Sequence, residues 1–434
     1  MTITLEHALR RDTGPVPTLE PVGGEGPARG TAQRMAMIAI VAAFIFQPIL
    51  HPSGPGNSSP VDLLTVASIV TGAIWITSSH HKARAPYLIP VSLLIAAGAA
   101  SGLFGTLPGL ALLTLVIDLL LFAWCTTVVN VLSAPRLMRC ALVAWSWSGI
   151  FWAGVVIVAW LGHITALEGL QAAEGNRVLF TFGDPNYAST YWDATIFVVY
   201  ATRTPSARWM RIVGYVMLAW ALALTESNGG ALALGISIFF LLLVRSHRKN
   251  GLVGAAATGL IITMAVGAFL VAFPLSSIRQ WALSSGQPLL VNSIGRSAQS
   301  SNERGELIVE LKQLYEQTNG ILGNGPASTK PLLTTQLYPY ANEAHNDFLA
   351  VLVERGPVGL LGLLLLIGTA IYWVVPIVRR PLSARYAAVV PLPIGLVAGL
   401  LALSINSFYE EVLHFRFLWA LLGIVAILGK DARR

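Results

Sequence analysis

The feature that most limits how this chain can fold is a repeated alternation of long apolar runs with short polar breaks. A run of about 17–25 apolar residues, wound as a helix, matches the ~30 Å hydrocarbon core of a bilayer. Twelve such runs occur, at roughly 35–51, 61–78, 87–104, 108–130, 138–162, 186–202, 210–226, 228–245, 252–274, 357–378, 386–405 and 413–429. In lipid every backbone N–H and C=O must be bonded within the protein, so runs of this kind fold as helices. The sequence therefore predicts an all-α polytopic membrane protein with about 12 transmembrane helices. A chain that is 55% hydrophobic and 11% charged has no counterpart among ordinary soluble domains.

The formal charge of +7 first suggests a nucleic-acid partner, but its distribution argues against one. With the N-terminus placed in the cytoplasm, 20 of the 28 Lys and Arg residues fall on the cytoplasmic side. Lys82 and Arg84, Arg136 and Arg139, Arg203, Arg208 and Arg211, Arg245, Arg248 and Lys249, Arg379, Arg380 and Arg385, and Lys430, Arg433 and Arg434 all lie there. Eight fall outside: Arg177, Arg279, Arg296, Arg304, Lys312, Lys330, Arg355 and Arg416. This is the positive-inside pattern, and it predicts both termini in the cytoplasm. A nucleic-acid stripe would instead cluster on one soluble face, so no nucleic-acid partner is expected. The two cysteines, Cys125 and Cys140, do not amount to a disulfide framework.

Residues 1–33, with "TGPVPTLEPVGGEGPARG", read as a disordered cytoplasmic tail. The first apolar run starts too late and runs too long for a cleaved signal peptide, so it is expected to stay as a helix. Residues 34–274 then hold nine membrane helices, interrupted by an outer loop at 163–185. Residues 275–356 form a second, much larger outer loop, and 357–434 carry the last three helices and a short tail. A loop as long as the second is usually functional or a small domain. Within it "SSNERGELIVELKQLYEQ" reads as a capped helix with Ile308, Leu311 and Tyr315 on one stripe and Arg304 in its first turn. "NEAHNDFLAVLVERGPVGLL" (342–361) reads as a further helix, with Asn342 as N-cap and Gly356-Pro357 as the break before the next membrane helix. His345, Phe348, Leu349 and Leu352 recur there at helical spacing, which places His345 on an apolar face near the helix start. A helix N-terminus disfavours the imidazolium, so His345 is expected to be neutral and able to accept a proton.

The outer side thus offers one base, His345, and arginines whose planar forks suit a phosphate: Arg177, Arg279, Arg296 and Arg304. Lipid headgroups or Glu303, Glu306 and Glu343 are alternative partners for these arginines. The outer loops contain no Asp-x-Asp, no His-x-x-x-His and no cysteine cluster, so no metal site is expected. No P-loop or serine nucleophile elbow is present either. Few ionisable residues lie within the runs, and such residues are functional candidates by default. Asp118 is expected to pair inside the bundle. Asp193 and Glu226 are expected to help line an outer cavity with Asn228.

Three segments in order resemble the O-antigen ligase and polymerase superfamily. "RVLFTFGDPNYAS" (177–189) is similar to its Arg…Gly-x-Pro-Asn segment. "ERGELIVELKQLYEQTNGILGNGPAS" (303–328) is similar to its Arg-led helix and Gly-x-Gly turn, with an aliphatic residue near Ile308 where an aromatic is usual. "AHNDFLAVLVERGPVGLLGLLLL" (344–366) resembles its His-Asn-x-(Phe/Tyr)-Leu…Glu-x-Gly-x-x-Gly hallmark. The resemblance implies a GT-C-type glycosyltransferase in the bacterial inner membrane, acting on its outer face. The donor would be a glycan on undecaprenyl diphosphate, and the acceptor a hydroxyl on lipid A-core or on a growing glycan. No cofactor beyond that donor is implied. His345 would be the general base, and Arg177 with Arg304 or Arg296 would hold the diphosphate. Asn186 and Asn346 lie in the matching motifs and join the substrate-binding candidates. Two other classes compete: a transporter or flippase, marked by repeated halves and broken helices, and a peptidoglycan-type glycan polymerase.

Overall fold

The computed structural model describes residues 27–50, 59–79, 82–169, 177–317, 320–336 and 343–434. Among them every extended regular element is a helix. The helices are α1 (Pro27–Phe46), α2 (Val61–Ser78), α3 (Leu88–Phe104), α4 (Pro108–Val131), α5 (Pro135–Leu161), α6 (Pro185–Thr202), α7 (Arg208–Leu224) and α8 (Asn228–Ala272). After them come α9 (Leu275–Ser284), α10 (Ser297–Gln317), α11 (Thr329–Thr335), α12 (Asp347–Arg379), α13 (Ile394–Asn406) and α14 (Arg416–Asp431). Proline opens α4, α5 and α6, where its missing N–H costs no bond.

Each of the predicted apolar runs is helical over most of its length. Five helices, α2, α4, α5, α8 and α12, are long and apolar enough to cross a membrane by length and composition. The chain is a helical integral membrane protein. α8 holds two runs and bends at Gly251, whose φ of 69° and ψ of −166° suit glycine. The Thr258 hydroxyl donates to Ser246 across the bend at 2.8 Å. Twelve residues of straight helix would separate them by about 18 Å, so the chain doubles back there. Apolar residues at this edge, such as Leu252, Val253 and Leu260, are exposed, as a lipid-facing surface requires. At the other extreme, α14 is buried at every residue from Arg416 to Gly429, and it packs on α4 and α12.

Small residues set the closest approaches. A Cβ at Gly362 would lie 2.9 Å from Leu94, so α12 lies directly on α3. Gly395 and Gly399 bring α13 onto Ala201 and Phe197 of α6. Charge is paired where helices meet. Arg355 donates to Asp118 at 2.6 Å, tying α12 to α4. Arg416 holds Asp62 through two bonds, of 2.8 and 2.5 Å. Asp118 therefore pairs inside the bundle, as expected.

Several boundaries differ from expectation. Residues 27–33 are helical rather than tail, while the rest of the expected tail, 1–26, lies outside the described residues. The run at 386–405 becomes helix only from Ile394, because Pro391 and Pro393 cannot donate to a helix and restrict the residues before them. The helix with Arg304 begins at Ser297, so Arg304 sits beyond its first turn. Its buried apolar stripe is Leu307, Leu311 and Leu314, so Leu311 is buried as expected, while Ile308 is half exposed.

Candidate active site

The "GDPNYAS" segment begins the site. Asp184 caps α6 by accepting from the Asn186 backbone N–H at 2.6 Å. The Asn186 side-chain oxygen accepts from Arg177 at 2.9 Å and from the Ser227 hydroxyl at 2.8 Å. Arg177 also donates its Nε–H to the Thr225 carbonyl at 3.0 Å. It is 1% exposed, a buried guanidinium held by the turn between α7 and α8. That turn places Glu226 in the left-handed region, with φ 52°. Burial pushes the Glu226 carboxyl up to about 7, against the pull of Asn292, Arg177 and Arg296. Asn228 donates to the Ser293 carbonyl at 3.0 Å, and Arg296 Nε donates to the Asn292 carbonyl at 3.2 Å. Arg177, Asn186, Glu226 and Arg296, far apart in sequence, form one cluster.

A second cluster surrounds His345. Its Nδ1 lies 2.8 Å from Glu410 Oε2, and the glutamate is 1% exposed. Arg304 lies over the Tyr409 ring, 5.2 Å from its centroid, and its charge also acts on Glu410. Tyr409 packs in turn against Gly229 at the start of α8, which joins the two clusters. The segment before α12 is fastened to the loop before α14 at several points. Ala344 N–H donates to Glu411 at 2.9 Å, and Asp347 N–H donates to the Ser407 carbonyl at 2.9 Å. Asp347 accepts from the N–H groups of Val412 and Leu413 at 3.1 and 3.3 Å. Phe348 stacks on Phe408, with centroids 4.8 Å apart. His414 lies 3.4 Å from Glu411.

The glycine turn and the hallmark motif also clamp each other. Glu354 accepts from Ala327 N–H at 2.8 Å and from the Thr329 hydroxyl at 2.8 Å. Gly325 N–H donates to the Glu354 carbonyl at 2.9 Å. A Cβ at Gly323 would meet Glu354 and Gly356 backbone at 2.6 Å. Gly356, with φ 64° and ψ −172°, breaks the helical backbone of α12 there, at the expected Gly-Pro position.

These contacts correct several expectations. Asn342 lies outside the described residues, and α12 starts at Asp347 with Asn346 as its N-cap, accepting from Phe348 and Leu349 N–H. The side chain of Asn346 is engaged in this cap and in a bond to the Phe408 carbonyl. His345 precedes the helix in the left-handed region, with φ 45°, and is not on its apolar face. Nor is it held neutral. Burial disfavours its charge, but the adjoining Glu410, with Asp184 and Glu343 nearby, outweighs burial and pushes the imidazole up to about 10. A carboxylate in contact exceeds the weak dipole of a helix end. Asp193 is fully buried and accepts from Asn406 at 3.2 Å inside the bundle. Arg296 stands by Glu226, and Arg304 by Tyr409 and Glu410.

Residues 213–364 match a family model described as O-antigen ligase. The match spans about a third of the chain and supports its likeness to the O-antigen ligase and polymerase superfamily. No curated protein matches the sequence. The O-antigen ligase segment runs from within α7 to just past the α12 kink and carries Glu226, Arg296, Arg304 and His345. Arg177 and Asn186 reach the site from before that segment, and Tyr409 and Glu410 from after it. Sequence reasoning missed Glu410, Tyr409 and Asn292. The signal available for the first two was "SFYEEVLHF" (407–415), an acidic pair among aromatics before the last apolar run.

Proposed function

We propose that this protein is a GT-C-type glycosyltransferase of the O-antigen ligase family with twelve membrane crossings, working without a metal. It moves a glycan from undecaprenyl diphosphate to a hydroxyl on lipid A-core or on a growing glycan, at the outer face of the bacterial inner membrane. The observation that carries this reading is the His345–Glu410 pair, 2.8 Å apart, beside Arg304 and joined through Tyr409 to the Arg177 and Arg296 cluster.

The arrangement suits the chemistry. With Nδ1 engaged by Glu410, Nε2 is the nitrogen left to take the acceptor proton, as in other His–carboxylate pairs. The acceptor oxygen then bonds to the anomeric carbon as the bond from that carbon to the phosphate oxygen breaks. The electron pair departs with undecaprenyl diphosphate, a stable anion needing charge compensation more than a proton. Fixed guanidinium groups provide that as preorganised electrostatics. One base and no covalent nucleophile means one displacement, so the configuration inverts.

The purified protein should release undecaprenyl diphosphate from a lipid-linked glycan only when an acceptor is supplied. His345→Ala should lower that release by at least about a hundredfold, the lower end of the range for general-base catalysis. Normal turnover by a folded His345→Ala variant, or a product of retained configuration, would overturn the mechanism.

A further inference from the structure

At the far end of the bundle the ends of α12 and α14 enclose a second polar site. Two adjoining cavities, of about 590 and 690 Å³, share Ser133, Tyr386, Asp431 and Arg434. Six cations line them: Arg84, Arg380, Arg385, Lys430, Arg433 and Arg434. Their one acid, Asp431, is engaged by the backbone and hydroxyl of Ser383 at 2.8 and 2.9 Å. The hollow lies away from His345, because α14 runs about 24 Å from Arg416 to Asp431 and α12 descends alongside it.

A basic loop on one side of a membrane protein needs no ligand to explain it. Convergence into one hollow does, because these cations come from separate segments at 84, 380–385 and 430–434. Two buried donors in the hollow, Trp373 Nε1 and Arg433 Nε, have no acceptor among the described residues. Arg433 is itself fixed in place, 3.3 Å above the Tyr372 ring centroid and donating to the Tyr372 carbonyl at 2.6 Å. Unmet donors among uncompensated cations call for an acceptor-only anion. The wall also holds the apolar Val129, Ala426 and Ile427, which suits the glycerol and first acyl carbons of a lipid better than a free ion.

We propose that this hollow binds the phosphate headgroup of an anionic phospholipid. Basic pockets between membrane helices bind such headgroups through these same terms. The site is separate from the glycosyl-transfer site, so neither proposal stands or falls with the other.

Native mass spectrometry of the intact detergent-purified protein, titrated with cardiolipin, phosphatidylglycerol, phosphatidylcholine or inorganic phosphate, tests it. Cardiolipin and phosphatidylglycerol should be retained, phosphatidylcholine should not, and millimolar phosphate should not displace them. The Arg84→Gln/Lys430→Gln/Arg434→Gln variant should bind at least about tenfold more weakly. Trp373→Phe, which keeps the ring and removes one donor, provides a second variant and should weaken retention several-fold. Equal retention of phosphatidylcholine, displacement by phosphate, or unchanged binding by both folded variants would overturn the proposal.

Discussion

His345 becomes a base only after the proton it holds against Glu410 has left. With the imidazole pushed up to about 10 and burial pushing Glu410 up to about 7, the pair is an imidazolium–carboxylate between those values. Above about 10 the imidazole is neutral beside an ionised Glu410. The rate of glycosyl transfer should therefore rise with pH above neutrality, toward an alkaline limb. Glu410→Gln removes the charge that holds the proton while keeping an acceptor for Nδ1. The imidazole should then titrate at lower pH, because burial disfavours its charge and only the lesser charges of Asp184 and Glu343 oppose it, so the limb should move to lower pH. The plateau rate should fall by about 10–100-fold, as for loss of a carboxylate orienting a histidine. A pH–rate profile decides this: an unmoved limb would show that Glu410 does not control the base. Neither feature was legible in the sequence, because His345 and Glu410 are 65 residues apart and nothing in the local pattern pairs them.

At the scale of elements, the kink in α12 and the glycine turn before α11 are one device. Gly356 occupies a region of backbone space that is nearly glycine-only, and a Cβ there would lie 2.4 Å from the Ile321 carbonyl. Gly356→Ala should cost more than about 2 kcal/mol from strain and overlap together. Thermal unfolding in detergent would register it, together with a fall in transfer activity, since the kink orients the Asn346 cap and His345. An alanine variant with unchanged stability would mean the bend is not a constraint. The sequence located this bend through its Gly-Pro pair. It did not locate the start of α12, because Asn346, not the earlier Asn342, carries the capping bonds.

For the whole molecule, the buried pair Asp118–Arg355 joins helices whose residues are 237 positions apart. Breaking a buried pair leaves one uncompensated charge and costs about 3–5 kcal/mol, whereas replacing both partners by apolar residues is often nearly neutral. Arg355→Met alone should therefore destabilise the fold strongly, and Asp118→Leu with Arg355→Met should recover most of the loss. A double-mutant cycle by thermal or chemical unfolding measures this, and additive losses would show that the two side chains do not interact. The positive-inside pattern makes a further molecular prediction: reporters fused to either terminus should both lie in the cytoplasm. Protection of one reporter and exposure of the other would refute that orientation.

The sequence by itself determined that this is a helical membrane protein, where most of its helices lie, and which three segments resemble the family's motifs. Hydropathy and turn chemistry are sums over neighbouring residues, so a linear reading retains them. Tertiary structure alone decided that His345 faces Glu410 and is held protonated, that Arg296 stands by Glu226 and Arg304 by Tyr409 and Glu410, and that Asp193 lies inside the bundle. These outcomes depend on which helix ends pack together, and a charge or dipole is worth what its nearest neighbours make it. Those neighbours come from distant parts of the chain, which no local period records.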